Sequence, residues 1–182
     1  MSPLSREEAI GMDSYTDKSP NASRMGKASE YLVAAVCILV SQGQLNVSTS
    51  LVDDEGVDLV FHRRGGVATL AVQVKARMLS GSAAGGGRFQ TLVRSQTFAP
   101  REDLAMLFVA VDDDRGQLET AWLVPSVTFD KQKGAPTARG RYRFAASMKP
   151  DSRDQWSPFR LSPHELPAAI LHRLNELELS GR

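Results

Sequence analysis

Hydrophobic and polar residues recur along the chain with two periods, one typical of helices and the other typical of strands. The residues from 31 to 40 are all apolar, which predicts a helix that is buried on most sides. Ser23 is a favourable N-cap for this helix, and Gly43 is a favourable stop. A second helix is predicted from the Ser-Pro-His-Glu capping box at 162–165 to about residue 179.

Alternating and continuous apolar runs between the two helices predict strands. Two of these runs flank the Arg-Arg-Gly-Gly turn at 63–66, so they should be antiparallel neighbours. The segment 104–111 is apolar throughout, as in a central strand, whereas 88–94 is either extended or a short helix. The predicted strands cover residues 45–52, 57–62, 67–77, 104–111, 119–124 and 141–145. We therefore expect an α/β fold with a central mixed sheet flanked by helices.

Composition and charge limit the class of protein, its partners and its compartment. Apolar residues make up 42% of the 182 residues and charged residues 24%, which is ordinary for a soluble globular protein. The net charge of +1 gives no overall argument for a nucleic-acid partner. Cys37 is the only cysteine and is expected to be a buried thiol in a reducing compartment. The first residues lack an apolar signal core and no apolar run is long enough for a bilayer, so we expect a cytoplasmic protein without a membrane segment.

Three polar residues interrupt the apolar strands. Asp58 lies in the second predicted strand, while Gln73 and Lys75 lie two residues apart on one face of the third. Antiparallel pairing of these strands brings the three residues within reach of one another, where they could hold a divalent metal ion and a phosphate. An exposed salt bridge between Asp58 and Lys75 is the simpler interpretation of those two residues taken alone.

The order of these residues resembles that of a known family. Glu30 lies in the first helix, Gly56-Val-Asp58 opens the second strand, and Val72-Gln-Val-Lys75 lies in the third. This order is similar to the PD-(D/E)XK nuclease superfamily, whose restriction-endonuclease-like core runs helix, three-stranded meander, helix and further strand (αβββ…β). The glutamine form of the motif resembles the Mrr-like branch.

The resemblance covers roughly residues 23–125. It leaves 1–22 as a loose lead-in and 126–182 as a basic strand and loop segment with a C-terminal helix that packs on the core, all within a single domain.

The resemblance implies a metal-dependent endonuclease that hydrolyses the phosphodiester bonds of DNA. Glu30, Asp58, Gln73 and Lys75 would be the catalytic residues, with Asp58, Gln73 and the Val74 carbonyl as ligands of Mg²⁺ or Mn²⁺. Gln73 replaces the usual acid and leaves the site one negative charge short, which predicts weaker metal binding. The alternative is a catalytically inactive nuclease-fold protein that binds nucleic acid or another protein.

Two segments without acidic residues, 76–101 and 131–149, supply the candidate DNA contacts. In the second, Tyr142 and Phe144 interleave with arginines, and such aromatics can stack on unpaired bases. A solvated loop is the common alternative for such segments. The expected partner is duplex or branched DNA, and pairing into a homodimer is an analogy with the family. The predicted contacts are Arg77, Arg88, Arg94, Arg139, Arg141 and Arg143.

Overall fold

The computed structural model of the protein describes residues 20–49, 56–84 and 86–181. These residues form three helices and eight strands, together with one 3₁₀ turn at Ser157–Phe159. In chain order the elements are α1 (Pro20–Val40), β1 (Leu45–Thr49), β2 (Leu59–Arg63), β3 (Thr69–Met78), β4 (Arg88–Arg94), β5 (Leu104–Asp112), β6 (Gln117–Pro125), α2 (Ser126–Gln132), β7 (Arg141–Ser147), β8 (Arg160–Leu161) and α3 (Leu166–Ser180).

The central sheet has six strands in the order β1-β2-β3-β5-β6-β8. Its neighbours are antiparallel except for β3 and β5, which run parallel in the register Gln73↔Met106 and Lys75↔Phe108. The parallel pair makes the sheet mixed, as predicted, and every residue of β5 from Leu104 to Val111 is buried. β4 and β7 form a separate two-stranded antiparallel ribbon.

The two faces of the central sheet bury different cores. On one face α1 and α3 pack over strand residues such as Val72 and Val74, contributing Val33, Cys37 and Ile170. On the other face the ribbon and α2 pack over β5 and β6, where Phe108 stacks on Phe144 with ring centroids 3.6 Å apart. Helices therefore flank the sheet, which confirms the predicted fold class. Among the described residues, no helix combines the length and apolarity needed to cross a membrane.

The prediction that α1 is buried on most sides is wrong. Its buried positions are Ser29, Val33 and Cys37, one stripe at helical spacing. Tyr31 is 58% exposed and Leu39 is 75% exposed. The apolar run has no polar stripe that would mark a solvent side, so only the packing against the sheet decides which face is buried. The helix also extends to Pro20, three residues before the predicted cap.

The second and third strands pair antiparallel as predicted, but their boundaries differ. β2 begins at Leu59, two residues late, and Val57 packs with Val60 instead of sharing the side of Leu59. The reason is local: Gly56 has a φ of +68°, so the chain enters the sheet irregularly and the alternation starts only at Leu59. The end of the first predicted strand, residues 50–52, lies outside the described residues.

Two further elements differ from the expected pattern. The family pattern has a helix between the third strand and the next one, but the described part of that connection contains β4. Alternate β4 residues Phe89, Thr91 and Val93 are buried, which is the period of a strand. The short helix α2 was not predicted.

The last helix begins later than its capping box predicts. Glu165 Oε2 accepts a hydrogen bond from the Ser162 N–H at 2.8 Å, so the glutamate half of the box forms. The helix nevertheless begins at Leu166, with Pro167 in its first turn. The first turn tolerates a proline, which has no N–H, because the first N–H groups of a helix have no partner inside the helix.

Candidate active site

The carboxylate of Asp58 is fixed on the edge of β3. The Asp58 N–H donates to the Val72 carbonyl at 2.9 Å, and its Oδ2 accepts from the Val74 N–H at 2.6 Å. Val74 lies between Gln73 and Lys75 in the chain, so the carboxylate contacts the centre of the Gln-Val-Lys motif. The structure therefore joins Asp58 to this motif through the backbone.

The backbone of Val74 faces the edge that β2 leaves open. Ala71 donates from its N–H to the Asp103 carbonyl, so the peptide groups of odd-numbered β3 residues point toward β5. The N–H and C=O of one strand residue point the same way, and successive residues alternate, so the Val74 carbonyl points toward Asp58. β2 pairs with β3 only up to Leu59↔Val72, so this stretch of edge lies beyond the ladder.

Gln73 packs against the backbone of Gly56. Its side chain is 6% exposed, and a Cβ built on Gly56 would overlap the Gln73 amide nitrogen, Nε2. The same Cβ would lie 3.6 Å from the Thr97 carbonyl, which places the segment after β4 beside this amide. The oxygen of the Gln73 amide lies farther from Gly56 than the nitrogen does. Gly56 is thus needed both for its positive φ and for its missing side chain.

Lys75 and Arg77 follow Gln73 on the same face of β3, because side chains alternate along the strand. Lys75 is half-buried. Arg77 donates to the Gln90 carbonyl on β4 at 3.3 Å and to the Ala76 carbonyl at 3.1 Å, and its burial lowers the guanidinium pKa. The segment from Gln90 to Thr97 therefore runs alongside the row of Gln73, Lys75 and Arg77.

Helix α1 carries a pair of charged residues, one of which is affected by the charge of Asp58. Glu30 is 14% exposed and accepts a hydrogen bond from the Lys27 ammonium at 2.7 Å. This bond to Glu30 is the main reason that the pKa of Lys27 is raised, and the negative charge of Asp58 raises it further. The charge of Asp58 therefore reaches Lys27, on the helix that also carries Glu30.

Oxygen atoms dominate the donor set of this region. Within 20–49, 56–84 and 86–181, no three histidine, cysteine, aspartate or glutamate side chains gather as a metal cluster. The potential donors are two carboxylates, from Asp58 and Glu30, with the Gln73 amide and the Val74 carbonyl. An all-oxygen set of low charge suits a hard cation such as Mg²⁺, which retains several of its waters.

The predicted DNA contacts divide into two groups. Arg77 lies under the ribbon with its guanidinium on two carbonyls, and Arg139 is exposed in the turn before β7. The other four share one face of the β4–β7 ribbon, because Phe89, Val93 and Phe144 take up the opposite face. The structure brings together on that outward face Arg88, Arg94, Arg141 and Arg143.

Sequence reasoning missed two residues of the site. Lys27 was not predicted, although its spacing of three from Glu30 on a helix is a recognised signal for an ion pair. Gly56 was noted as part of the Gly-Val-Asp motif but was given no role. Its approach to Gln73 depends on how β2 enters the sheet, which the sequence does not display.

Comparison with known proteins identifies the fold and nothing beyond it. No family model and no curated protein matches the chain. Among solved structures, the chain is similar to a bacterial homing endonuclease, I-Ssp6803I, with a TM-score of 0.54 and 17% sequence identity. The similarity covers 90% of this chain and 99% of that one. The protein therefore shares its fold with a homing endonuclease.

Proposed function

We propose that the protein is a metal-dependent DNA endonuclease. The observation that carries this proposal is the hydrogen bond from the Val74 N–H to the Asp58 carboxylate, which joins the acid to the Gln-Val-Lys motif at an open sheet edge. The charge of Asp58 also acts on Lys27, which binds Glu30 on α1. The fold, which is similar to that of a homing endonuclease, supports the same class of reaction.

The residues at this edge fit a magnesium or manganese ion. Asp58 contacts the Val74 peptide group at the β3 edge, and in this proposal the Gln73 amide and Glu30 of α1 are the further oxygen donors. A bound divalent ion would polarise the scissile phosphate and lower the pKa of a bound water. Because Gln73 is neutral, we expect this site to bind its ion more weakly than a site with a third carboxylate.

The side chains have separate tasks in this proposal. The Lys75 ammonium stabilises negative charge that develops on the phosphate and positions the attacking water. Glu30 accepts a hydrogen bond from water at the site, and Lys27 holds its carboxylate in place. Gln73, which is braced by Gly56, orients its amide oxygen without adding charge. Arg88, Arg94 and Arg141 of the outward ribbon face bind DNA phosphates next to this site.

Cleavage of supercoiled plasmid with magnesium or manganese tests the proposal. Asp58→Asn keeps an oxygen that can accept from Val74 N–H, so it should fold normally and lose cleavage by about 100-fold or more. Lys75→Met should lose a similar factor. Asp114→Asn, at an exposed carboxylate in the β5–β6 turn, serves as the matched control and should cleave like the wild type. Cutting that survives both site substitutions would refute the site.

The neutral Gln73 favours one second candidate, a nuclease-fold protein that binds nucleic acid without cutting it. Retention of DNA that weakens with salt, with no cutting in either metal, would support this candidate. Branched DNA as a substrate and pairing into a homodimer stay predictions. Competition between branched and linear duplexes tests the first, and sedimentation velocity tests the second.

A further inference from the structure

The two-stranded ribbon of β4 and β7 has a polar outward face that the proposed cleavage chemistry does not use. Its inward side chains, including Phe89 and Phe144, are buried against the central sheet. Its outward positions pair as Leu92↔Arg143 and Arg94↔Arg141, with Gln90 opposite Ala145. Neither strand contains an acidic residue. The face is therefore a positively charged strip that also presents an amide.

We infer that this ribbon enters the major groove of duplex DNA and reads base edges through Gln90 and Arg143. The major groove admits a two-stranded β-ribbon, and only there does each base pair show a distinct pattern of donors and acceptors. A glutamine can pair with the two major-groove groups of adenine, and an arginine with the two acceptors of guanine. This inference rests on the proposed function for the placement of DNA at the site.

The backbone of Gln90 is held from two directions while its side chain stays exposed. The Gln90 N–H donates to the Ala83 carbonyl at 2.8 Å, and the Gln90 carbonyl accepts from Arg77 at 3.3 Å. Base reading needs this kind of support, because a side chain on a rigid strand is placed more accurately than one on a loop. Arg143 is exposed, with its neighbour Phe144 buried in the core beneath it.

Arg77 also sets the distance from the ribbon to the cleavage site. It lies two residues beyond Lys75 on the same face of β3, which corresponds to about 7 Å along a strand. Its guanidinium joins that point of β3 to Gln90. A duplex whose backbone lies at Lys75 would therefore present its adjacent groove to the ribbon, and the bases read would lie close to the cut.

Binding selection from a randomised duplex library tests this inference without requiring cleavage. Duplexes are first selected for binding to the Asp58→Asn variant. The selection is then repeated with the same variant after Gln90→Ala or Arg143→Gln has been added. We expect the Asp58→Asn variant to show a sequence preference. Each added substitution should reduce the discrimination between bases at one position by between about fivefold and about 150-fold. Gln132→Ala and Arg64→Gln, at exposed positions off the ribbon, are the matched controls and should keep the full preference.

Modified duplexes identify the groove. Replacing guanine by 7-deazaguanine removes an acceptor from the major groove, and this should weaken binding by the parent protein but not by the Arg143→Gln variant. Replacing guanine by inosine alters the minor groove and should have little effect. If Gln90→Ala and Arg143→Gln weaken DNA binding equally on all sequences and only reduce its salt dependence, the two side chains contact phosphates. That result overturns the inference.

The inference and the proposed function can fail separately. Selective binding without cleavage keeps the inference and removes the nuclease activity. Cleavage without any sequence preference keeps the nuclease activity and removes the inference. The absence of both DNA binding and cleavage overturns both.

Discussion

Replacing Gly56 by alanine is expected to damage the candidate site through the Gln73 side chain. The φ of +68° costs a residue with a Cβ about 1–2 kcal/mol. The new Cβ would also approach the Gln73 amide nitrogen more closely than Cβ atoms tolerate. Moving a buried side chain out of such an overlap adds about 1–3 kcal/mol. We therefore expect a total loss of about 2–5 kcal/mol in the free energy of unfolding.

Gly116→Ala is the matched control for backbone strain. Gly116 has nearly the same φ, +64°, and nothing lies within 4 Å of a Cβ built there. It should lose only the strain of about 1–2 kcal/mol and should cleave DNA like the wild type. Urea unfolding followed by the fluorescence of the buried Trp122 and Trp156 measures both variants.

A double-mutant cycle identifies Gln73 as the cause. Once Gln73 is shortened to alanine, Gly56→Ala should cost no more than Gly116→Ala does. At a temperature where all variants are folded, Gly56→Ala should cleave far more slowly than Gly116→Ala. Equal destabilisation by the two glycine substitutions, with equal cleavage, would refute the idea that Gly56 braces Gln73.

Two further predictions concern stability away from the site. Burial raises the pKa of the Cys37 thiol to about 12 from 9.0, so stability is full below pH 9 and is lost as the pH rises toward 12, by about 1.4 kcal/mol per pH unit. Urea unfolding of the wild type and of Cys37→Ala across this range measures this contribution of Cys37, and the same dependence of unfolding free energy on pH in both proteins would contradict it. Asp154 accepts hydrogen bonds from Ser147 N–H, Trp156 N–H and Ser152 Oγ, at 2.7, 2.9 and 3.1 Å. Asp154→Ala should therefore lower the free energy of unfolding by about 2–3 kcal/mol, whereas the nearby exposed Asp151→Ala should change it by less than about 0.5 kcal/mol, and similar losses would count against this role.

Much of the central sheet was predictable because its signals are local. The Arg-Arg-Gly-Gly turn fixes the hairpin of β2 and β3, with the Gly66 N–H donating to the Arg63 carbonyl at 2.9 Å. The sequence left 88–94 as either extended or a short helix, and the structure shows a strand with those bounds, β4, in which burial alternates although polarity does not. The α1 interface could not be predicted, because ten consecutive apolar residues contain no information about which side is buried.

The sequence by itself determined which polar residues make up the candidate site, and it placed Gln73 and Lys75 on the strand that carries them, β3. Asp58, Gln73 and Lys75 follow from turn chemistry and from the period-two pattern, both of which act over a few residues. Only the tertiary structure decided how Gly56 packs against Gln73, how the charge of Asp58 reaches Lys27, and how β4 pairs with the distant β7. Such contacts join segments far apart in the chain, and they form because the whole chain buries its apolar surface at once.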